Sequence, residues 1–259
     1  MALLTLNEFK LRNPHFDIEQ GSEEWHGQRG VGSTAVSPLL CVSGGKKEWE
    51  NTWKKYKGLD YQERDLSGIL AIQYGKKMEP VAAQWVRDHG LPSDVQMLFP
   101  GLLEKKFFDT RYTDSPDFLL VSKSGDVMAV GEIKCAFSRQ KTYTPNDIPL
   151  NYYLQCQWHM LISGTPYCLF VDYIKNAITM HVITADEHLQ QTIIGCVHKR
   201  LSNEEYHEVP PTTRKNLRTL IRNSALNRML HYILSFSHTI TDDGKFLHLK
   251  GWDNPDLFI

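Results

Sequence analysis

The chain has 259 residues, 41% of them hydrophobic and 23% charged, with a formal net charge of −1. That length suffices for one domain with a full core, and the near-neutral balance excludes a globally basic nucleic-acid binder, so such a site must come from local clusters of basic side chains. Five scattered cysteines without a C-x-x-C argue against a zinc ribbon, a disulfide scaffold or an iron–sulfur signature and fit an intracellular, reducing compartment, cytoplasm or nucleus; no apolar run approaches a membrane span and the N-terminus carries no signal-peptide pattern.

Residues 1–20 open with a short predicted helix, M-A-L-L-T-L-N-E-F-K. In residues 21–35, Ser22 is placed to N-cap a short helix carrying Trp25 and Arg29. Gly30 and Gly32 loosen the backbone, and Ser33-Thr34 are placed to cap the next helix. Backbone N–H groups at a helix start beside an arginine suit a phosphate, which makes Arg29 and Ser33 candidate phosphate contacts. The plainer alternative is a core tryptophan with Arg29 capping a helix end. Residues 44–57 set Trp49, Trp53 and Tyr56 at helical spacing among Lys46, Lys47, Lys54, Lys55 and Lys57. Such a stripe is more often core than a base-stacking platform. Residues 63–89 predict a long helix, with Ile69, Ile72, Met78, Ala82, Trp85 and Val86 as its apolar positions and Gly90 as its stop. Glu79 lies on it, beside Pro80.

Residues 113–137, T-D-S-P-D-F-L-L-V-S-K-S-G-D-V-M-A-V-G-E-I-K-C-A-F, read as a β-hairpin. Residues 119–121 and 127–130 are the strands, and 122–126 carry turn chemistry. Side chains alternate along a strand, so Glu132 and Lys134 point to one face and Ile133 to the other. Pairing the strands brings Asp117 and Glu132 together. Two carboxylates and an ammonium at one end of a small sheet are costly unless something uses them, and a divalent cation such as Mg2+ prefers oxygen ligands. Water held between that cation and Lys134 is easier to deprotonate, and the ammonium can stabilise charge growing on a phosphate. The competing reading is a surface hairpin with a solvated Glu–Lys face.

Residues 136–149 form a polar crossing with Arg139 and Lys141. Residues 150–164 predict a helix that carries Gln155, a side chain able to orient a water without altering the charge balance, and His159 one turn on, read as structural. Residues 167–173 and 177–183 predict two more strands, and 187–200 another helix. From 208 to 237 the character changes: Arg214, Lys215, Arg218, Arg222 and Arg228 occur with no acid from 212 to 231. Arg214, Arg218 and Arg222 stripe one helix face, with Leu217, Leu220, Ile221 and Leu230 on another. That stripe meets DNA or an acidic partner, or is a solvated face. The apolar end, Asn254 to Ile259, reads as packing on its own domain.

Five short motifs in one order, W-H-x-x-R-x-G-x-x-x-A from Trp25, Tyr74-Gly75-Lys76-Lys77-Met78-Glu79, Ser115-Pro116-Asp117, Glu132-Ile133-Lys134-Cys135 and Tyr152-Tyr153-Leu154-Gln155-Cys156-Gln157, cover roughly residues 20–185. Together they resemble the phage lambda exonuclease and YqaJ-type viral recombinase family of PD-(D/E)XK nucleases. The resemblance implies that Glu79 lies near the metals, that Ile72 acts as a wedge at the terminal base pair, that Gln155 rather than Gln157 is the site glutamine, and that Lys46 and Lys47 lie near the DNA entrance. It also implies a further carboxylate within residues 91–112, where Gln96 and Glu104 match poorly.

The expected fold is α/β, a PD-(D/E)XK (restriction-endonuclease-like) core with a mixed central sheet flanked by helices. It forms a single domain over 1–259, with its core at about 20–200 and a C-terminal helical extension and tail after 201. In the expected site Glu79, Asp117, Glu132 and the Ile133 carbonyl hold Mg2+, for which Mn2+ can substitute, as one ion or two. Lys134 polarises the attacking water, Gln155 orients it, Ser115 supports the site, Arg29 grips a 5′-phosphate, and Ser33 and Arg139 are further DNA contacts. By resemblance, the activity is 5′-to-3′ exonucleolysis of double-stranded DNA ends for annealing-type recombination, the partner a single-strand annealing protein and the assembly a ring trimer. An endonuclease without end recognition and a catalytically silent DNA-binding module are the competing classes.

Overall fold

The computed structural model describes residues 3–62, 68–144, 146–175 and 177–237. A mixed sheet runs in the order β1 (Gln96–Leu98), β4 (Phe118–Val121), β5 (Val127–Cys135), β6 (Tyr167–Ile174), β7 (Ala177–Thr184), β8 (Met229–Ser237). Among the described residues β5–β6 is the parallel pair of this sheet, and its other neighbours pair antiparallel. A parallel pair needs a crossover, and α6 (Leu150–Ser163) supplies it. β2 (Leu103–Phe107) and β3 (Thr110–Asp114) form a separate antiparallel pair. No helix among the described residues is long and apolar enough to cross a membrane.

Apolar residues on both faces of β5 and β6 explain their near-continuous hydrophobic sequence. On one face Val130, Phe170 and Ile183 pack with α6, with α3 (Ser33–Leu39), α7 (Glu187–Ser202) and α8 (Pro211–Arg228). On the other, Phe118, Ala129, Ile133 and Val171 pack with Ala82, Ala83 and Trp85 of α5 (Leu70–Trp85).

The hairpin expected at 113–137 is β4–β5. Phe118 stands opposite Gly131, and Gly125 turns the chain at φ +88°. β5 runs on to Cys135, so Glu132 and Lys134 sit within a central strand rather than at its tip. The predicted helices appear as α1 (Leu6–Arg12), α2 (Glu23–Gln28), α4 (Lys46–Tyr56), α6 and α7. The long helix begins at Leu70 and widens into a π turn, Val86–Gly90, which Gly90 ends as expected. Residues 63–67 of that expected helix, and the apolar end from Asn254, lie outside the described residues.

Three expectations are corrected. Gly32, not Ser33-Thr34, is the N-cap of α3, and Ser33 is its buried first residue. The helical pattern of the C-terminal segment stops at Arg228. Residues 229–237 instead form β8 and extend the sheet beside β7, so the segment is not purely a helical extension and Leu230 is not on the helix. The arginine stripe of α8 is partly spent on its own domain: Arg214 stacks 4.9 Å from the Trp49 ring and Arg218 Nε donates to the Val42 carbonyl at 3.0 Å.

Candidate active site

Five elements carry the site: α5, β3, the start of β4, β5 and α6. Asp117 precedes β4, and its backbone N–H donates to the Gly131 carbonyl at 3.0 Å. Its Oδ2 accepts the N–H of Ile133 at 2.6 Å, which fixes the carboxylate against β5. Gln20 steadies the approach by donating to the carbonyls of Pro100 (2.7 Å) and Pro116 (3.2 Å). Glu79 comes from α5, on the opposite face of the sheet from α6. Glu79, Asp117 and Ile133 line one cavity of about 350 Å³, with Pro80, Ala83, Gln84, Arg87 and Phe99 as the other walls.

The strand alternation expected for β5 places Glu132 and Lys134 together, and they form an ion pair. Glu132 is 3% exposed. His159, on α6, is 1% exposed; its Nε2 stands 2.8 Å from Glu132 Oε2 and its Nδ1 2.5 Å from Asp114 Oδ2 on β3. The expected structural histidine is therefore wired to the site, and Asp114 was not singled out by sequence. One signal for His159 was present: it follows Gln155 by four residues, so both share a helix face.

The charges explain one another. Burial would raise the Glu132 carboxyl, but Lys134, His159 and their hydrogen bonds outweigh it and hold it at about 2. Burial would lower the His159 imidazole, but Asp114 and Glu132 hold it well above the usual histidine range, so both ring N–H groups donate. Burial and then the charges of Glu132 and Glu79 push Asp117 well above the usual aspartate range, with Lys134 and the Ile133 N–H offsetting part of this. Desolvation and Glu132 raise Glu79 too. Burial also pushes the neighbouring Cys135 thiol up to about 12, which makes it a poor nucleophile.

Glu79, Asp114, Asp117 and Glu132 thus face two cations, Lys134 and His159, a formal deficit of two positive charges. This fits a divalent cation in donor chemistry and in charge. Among the described residues, however, no three His, Cys, Asp or Glu side chains stand together in coordinating positions. Glu132 Oε1 faces Lys134 and its Oε2 faces His159. The two sequence-level options for a further ligand lie elsewhere. Gln96 pairs with Val121, at the end of β4 away from Asp117. Glu104 accepts from Arg111 Nε at 2.7 Å.

Gln155 is 6% exposed, and among the described residues its amide has no hydrogen-bond partner. Gln157 is fully engaged, donating to Tyr153 Oη and the Thr184 carbonyl and accepting from the Asp186 N–H. Of the two glutamines, only Gln155 keeps an amide to offer.

Around Arg29 the chain is built on β3. Gly30 N–H donates to Thr113 Oγ1 at 2.8 Å, and Thr113 N–H donates to the Val31 carbonyl at 3.1 Å. Arg29 is exposed, with its guanidinium 4.4 Å from the centre of the Trp25 ring. Trp25 is 8% exposed and donates through Nε1 to Ser115 Oγ at 2.9 Å. The plainer reading of this segment holds: Trp25 is core and Arg29 is the C-cap residue of α2, with its side chain presented on the Trp25 face.

The remaining residues divide. Ile72 is half-buried in the first turn of α5, beside exposed Leu70. Lys47 is exposed, whereas Lys46 pairs with Glu208 at 2.9 Å. Trp49 and Trp53 are core, as the ordinary reading had it. Arg139 is withdrawn from the phosphate contacts. It is ion-paired to the fully buried Asp172 and stacked 3.5 Å from the Tyr143 ring, which ties residues 136–149 to β6.

The sequence profile of the YqaJ-like viral recombinase domain matches residues 24–166. Comparison with curated protein sequences gives no match. Among solved structures, an alkaline exonuclease from Laribacter hongkongensis (LHK-Exo) is 21% identical, with a TM-score of 0.53, covering 80% of this chain and 100% of its own. LHK-Exo in complex with dAMP gives 20% identity, the same TM-score and the same coverage. The likeness establishes the PD-(D/E)XK-like fold expected from the motifs.

Proposed function

Because the chain belongs to the YqaJ-like viral recombinase domain family, we propose that it is a nuclease, a metal-dependent deoxyribonuclease acting 5′ to 3′ on double-stranded DNA ends to leave single strands for annealing-type recombination. The observation that carries the reading is the crowding of carboxylates around Asp117: burial and the charges of Glu132 on β5 and Glu79 on α5 raise the proton affinity of Asp117, and burial and Glu132 raise that of Glu79, beside Lys134, an arrangement that a divalent cation would relieve. Asp117, Glu79, the Ile133 carbonyl and Glu132 are the groups that would hold Mg2+, or Mn2+ in its place. When bound, the cation lowers the proton affinity of water and offsets charge on the phosphate.

The chain's own residues divide the remaining work. Lys134 keeps its proton, because the charges of Glu132 and Asp117 raise it above the usual lysine value against the pull of burial. It therefore serves as a fixed cation that polarises water and stabilises the phosphate rather than as a base. Gln155 orients the water with its unengaged amide. Arg29, with the first N–H groups of α3 at Ser33, receives the 5′-phosphate. Ser115 couples that seat to Asp117, Ile72 separates the terminal base pair, and exposed Lys47 meets the duplex backbone. A single-strand annealing protein and a ring of three copies are the partners that the family reading brings with it.

A time course on linear duplexes labelled at one end, with Mg2+ and then with EDTA, tests the reading. Loss of label from 5′ ends first, stopped by EDTA, supports it. Rapid cutting of a covalently closed circle points to the endonuclease, and binding without cutting to the silent module.

A further inference from the structure

The buried chain Asp114–His159–Glu132 is expensive to desolvate. Three ionisable groups, each no more than 3% exposed, are removed from water. Asp114 Oδ1 is buried with no hydrogen-bond partner among the described residues. Buried ion clusters of this kind are often no more stable than apolar packing of the same volume, and an unsatisfied buried oxygen adds a further penalty. The chain crosses three elements: Asp114 ends β3 of the small sheet, His159 lies on α6, and Glu132 lies on β5. Its product is a single orientation of one carboxylate. Glu132 Oε2 is held by the ring and Oε1 by Lys134, and each oxygen keeps a second lone pair.

We propose that His159, backed by Asp114, is a positioning residue for the hydrolytic reaction: the imidazole, locked at Nδ1 by Asp114, fixes Glu132 through Nε2 so that its remaining lone pairs face the cation. This rests on the nuclease reading and assigns a role to two residues outside the five motifs' named functional positions. A carboxylate that orients a histidine which in turn orients a carboxylate ligand acts as the outer shell of a cation site. Loss of such a partner typically weakens metal affinity or activity by about 10–100-fold.

Two substitutions separate the arms. In His159→Gln the side-chain amide reaches the Nε2 position, so the bond to Glu132 is kept and the bond to Asp114 lost. In His159→Asn it reaches the Nδ1 position, so the bond to Asp114 is kept and the bond to Glu132 lost. Each variant forfeits one buried hydrogen bond, so a merely structural role moves both equally. Mn2+ affinity is measured calorimetrically on the DNA-free protein, alongside Tm and the kcat and KM for a linear duplex. We expect His159→Asn to weaken Mn2+ binding about 10–100-fold and to lower kcat with KM for DNA little changed, and His159→Gln to recover most of both. Equal losses in the two variants, or wild-type Mn2+ affinity in His159→Asn, overturn the proposal. Should His159→Asn fail to fold, Asp114→Asn keeps the shape and loosens the ring; Mn2+ affinity unchanged there overturns it as well. Wild-type protein that neither binds Mn2+ nor cuts DNA overturns the nuclease reading itself, a result distinct from loss in the variants alone.

Discussion

The indole N–H of Trp25 donates to the hydroxyl of Ser115 across 2.9 Å. The same N–H also reaches the Gly101 carbonyl at 3.2 Å, and with the Gly30–Thr113 bond it ties the Arg29 segment to the stretch that leads to Asp117. On one side of it the Trp25 ring carries the Arg29 guanidinium; on the other, Ser115 lies two residues before Asp117. Trp25→Phe keeps an aromatic face for Arg29 and deletes the bond. It should cost about 1 kcal/mol of stability, the typical worth of a buried hydrogen bond, and blunt the preference for 5′-phosphorylated over 5′-hydroxyl ends. Arg29→Ala should erase that preference. Rates on paired substrates differing only in the end group check both; an unchanged ratio in Arg29→Ala removes the arginine from phosphate recognition.

Lys134→Ala should abolish digestion, by at least about 10²-fold, yet leave DNA binding largely intact, since the proposed duplex contacts, Arg29, Ser33, Lys47 and Ile72, all lie off β5. Glu132 retains His159 in the variant, so the fold should persist. Gel-shift and cleavage assays on the same preparation separate the two effects. Undiminished digestion would remove Lys134 from the mechanism.

Much of this was legible in the chain because it is local. The hairpin, the apolar runs of β6 and β7 and the Ser22 cap follow from short-range patterns, and the Glu132–Lys134 pair follows from strand alternation. What the sequence hid is long-range. His159 looked like a histidine on an apolar helix face because its partners lie 45 and 27 residues away. Arg139 looked like a free cation because Asp172, which captures it, sits in the middle of an otherwise apolar strand. β8 was hidden because a helical pattern runs up to it and only β7, fifty residues earlier, gives it an edge to pair with.

Asp117 trades stability for function. A carboxyl whose folded-state value is raised holds its proton more tightly folded than unfolded, so its ionised form costs stability at neutral pH. The cost fades as pH falls through the raised folded value and is gone below the unfolded value of about 3.9. Asp117→Asn keeps an oxygen for the Ile133 N–H and drops the charge. In EDTA at pH 7 its Tm should exceed that of wild type. On adding Mg2+ the wild-type Tm should rise and the variant's should not, with cleavage lost. Thermal scans with and without the ion decide; a lower Tm for the variant in EDTA contradicts the electrostatic account.

Gly131 precedes Glu132 for steric reasons. A Cβ there would lie 2.0 Å from Phe118 Cζ, and Phe118 is fully buried. Gly131→Ala should therefore destabilise at or beyond the upper end of about 1–3 kcal/mol. Adding Phe118→Leu, which removes the colliding ring edge, should return part of the loss. Denaturant titrations of the single and double variants measure it, and full additivity would show that the two residues do not collide.

Asp186 provides the pH test of the fold away from the site. It N-caps α7, accepting the Leu189 N–H at 3.0 Å, and it accepts the Ser224 hydroxyl of α8 at 2.5 Å, while its own N–H donates to Gln157 of α6. Burial would raise its carboxyl, but the Ser224 and Leu189 bonds and the charge of Arg228 outweigh this and lower it. A depressed carboxyl contributes stability above its unfolded value of about 3.9, and that contribution is lost as pH falls through the folded value. Asp186→Ala should thus cost about 1–2 kcal/mol at pH 7, or about 2–8 °C in Tm for a domain of this size. The gap to wild type should narrow as pH falls below the unfolded value of about 3.9 and through the lowered folded value. Asp186→Asn, which keeps an accepting oxygen without the charge, should fall between the two at pH 7 and vary less with pH. A gap for Asp186→Ala that is as wide in acid as at neutrality would mean that packing between α6, α7 and α8, not the charge on the cap, holds this corner together.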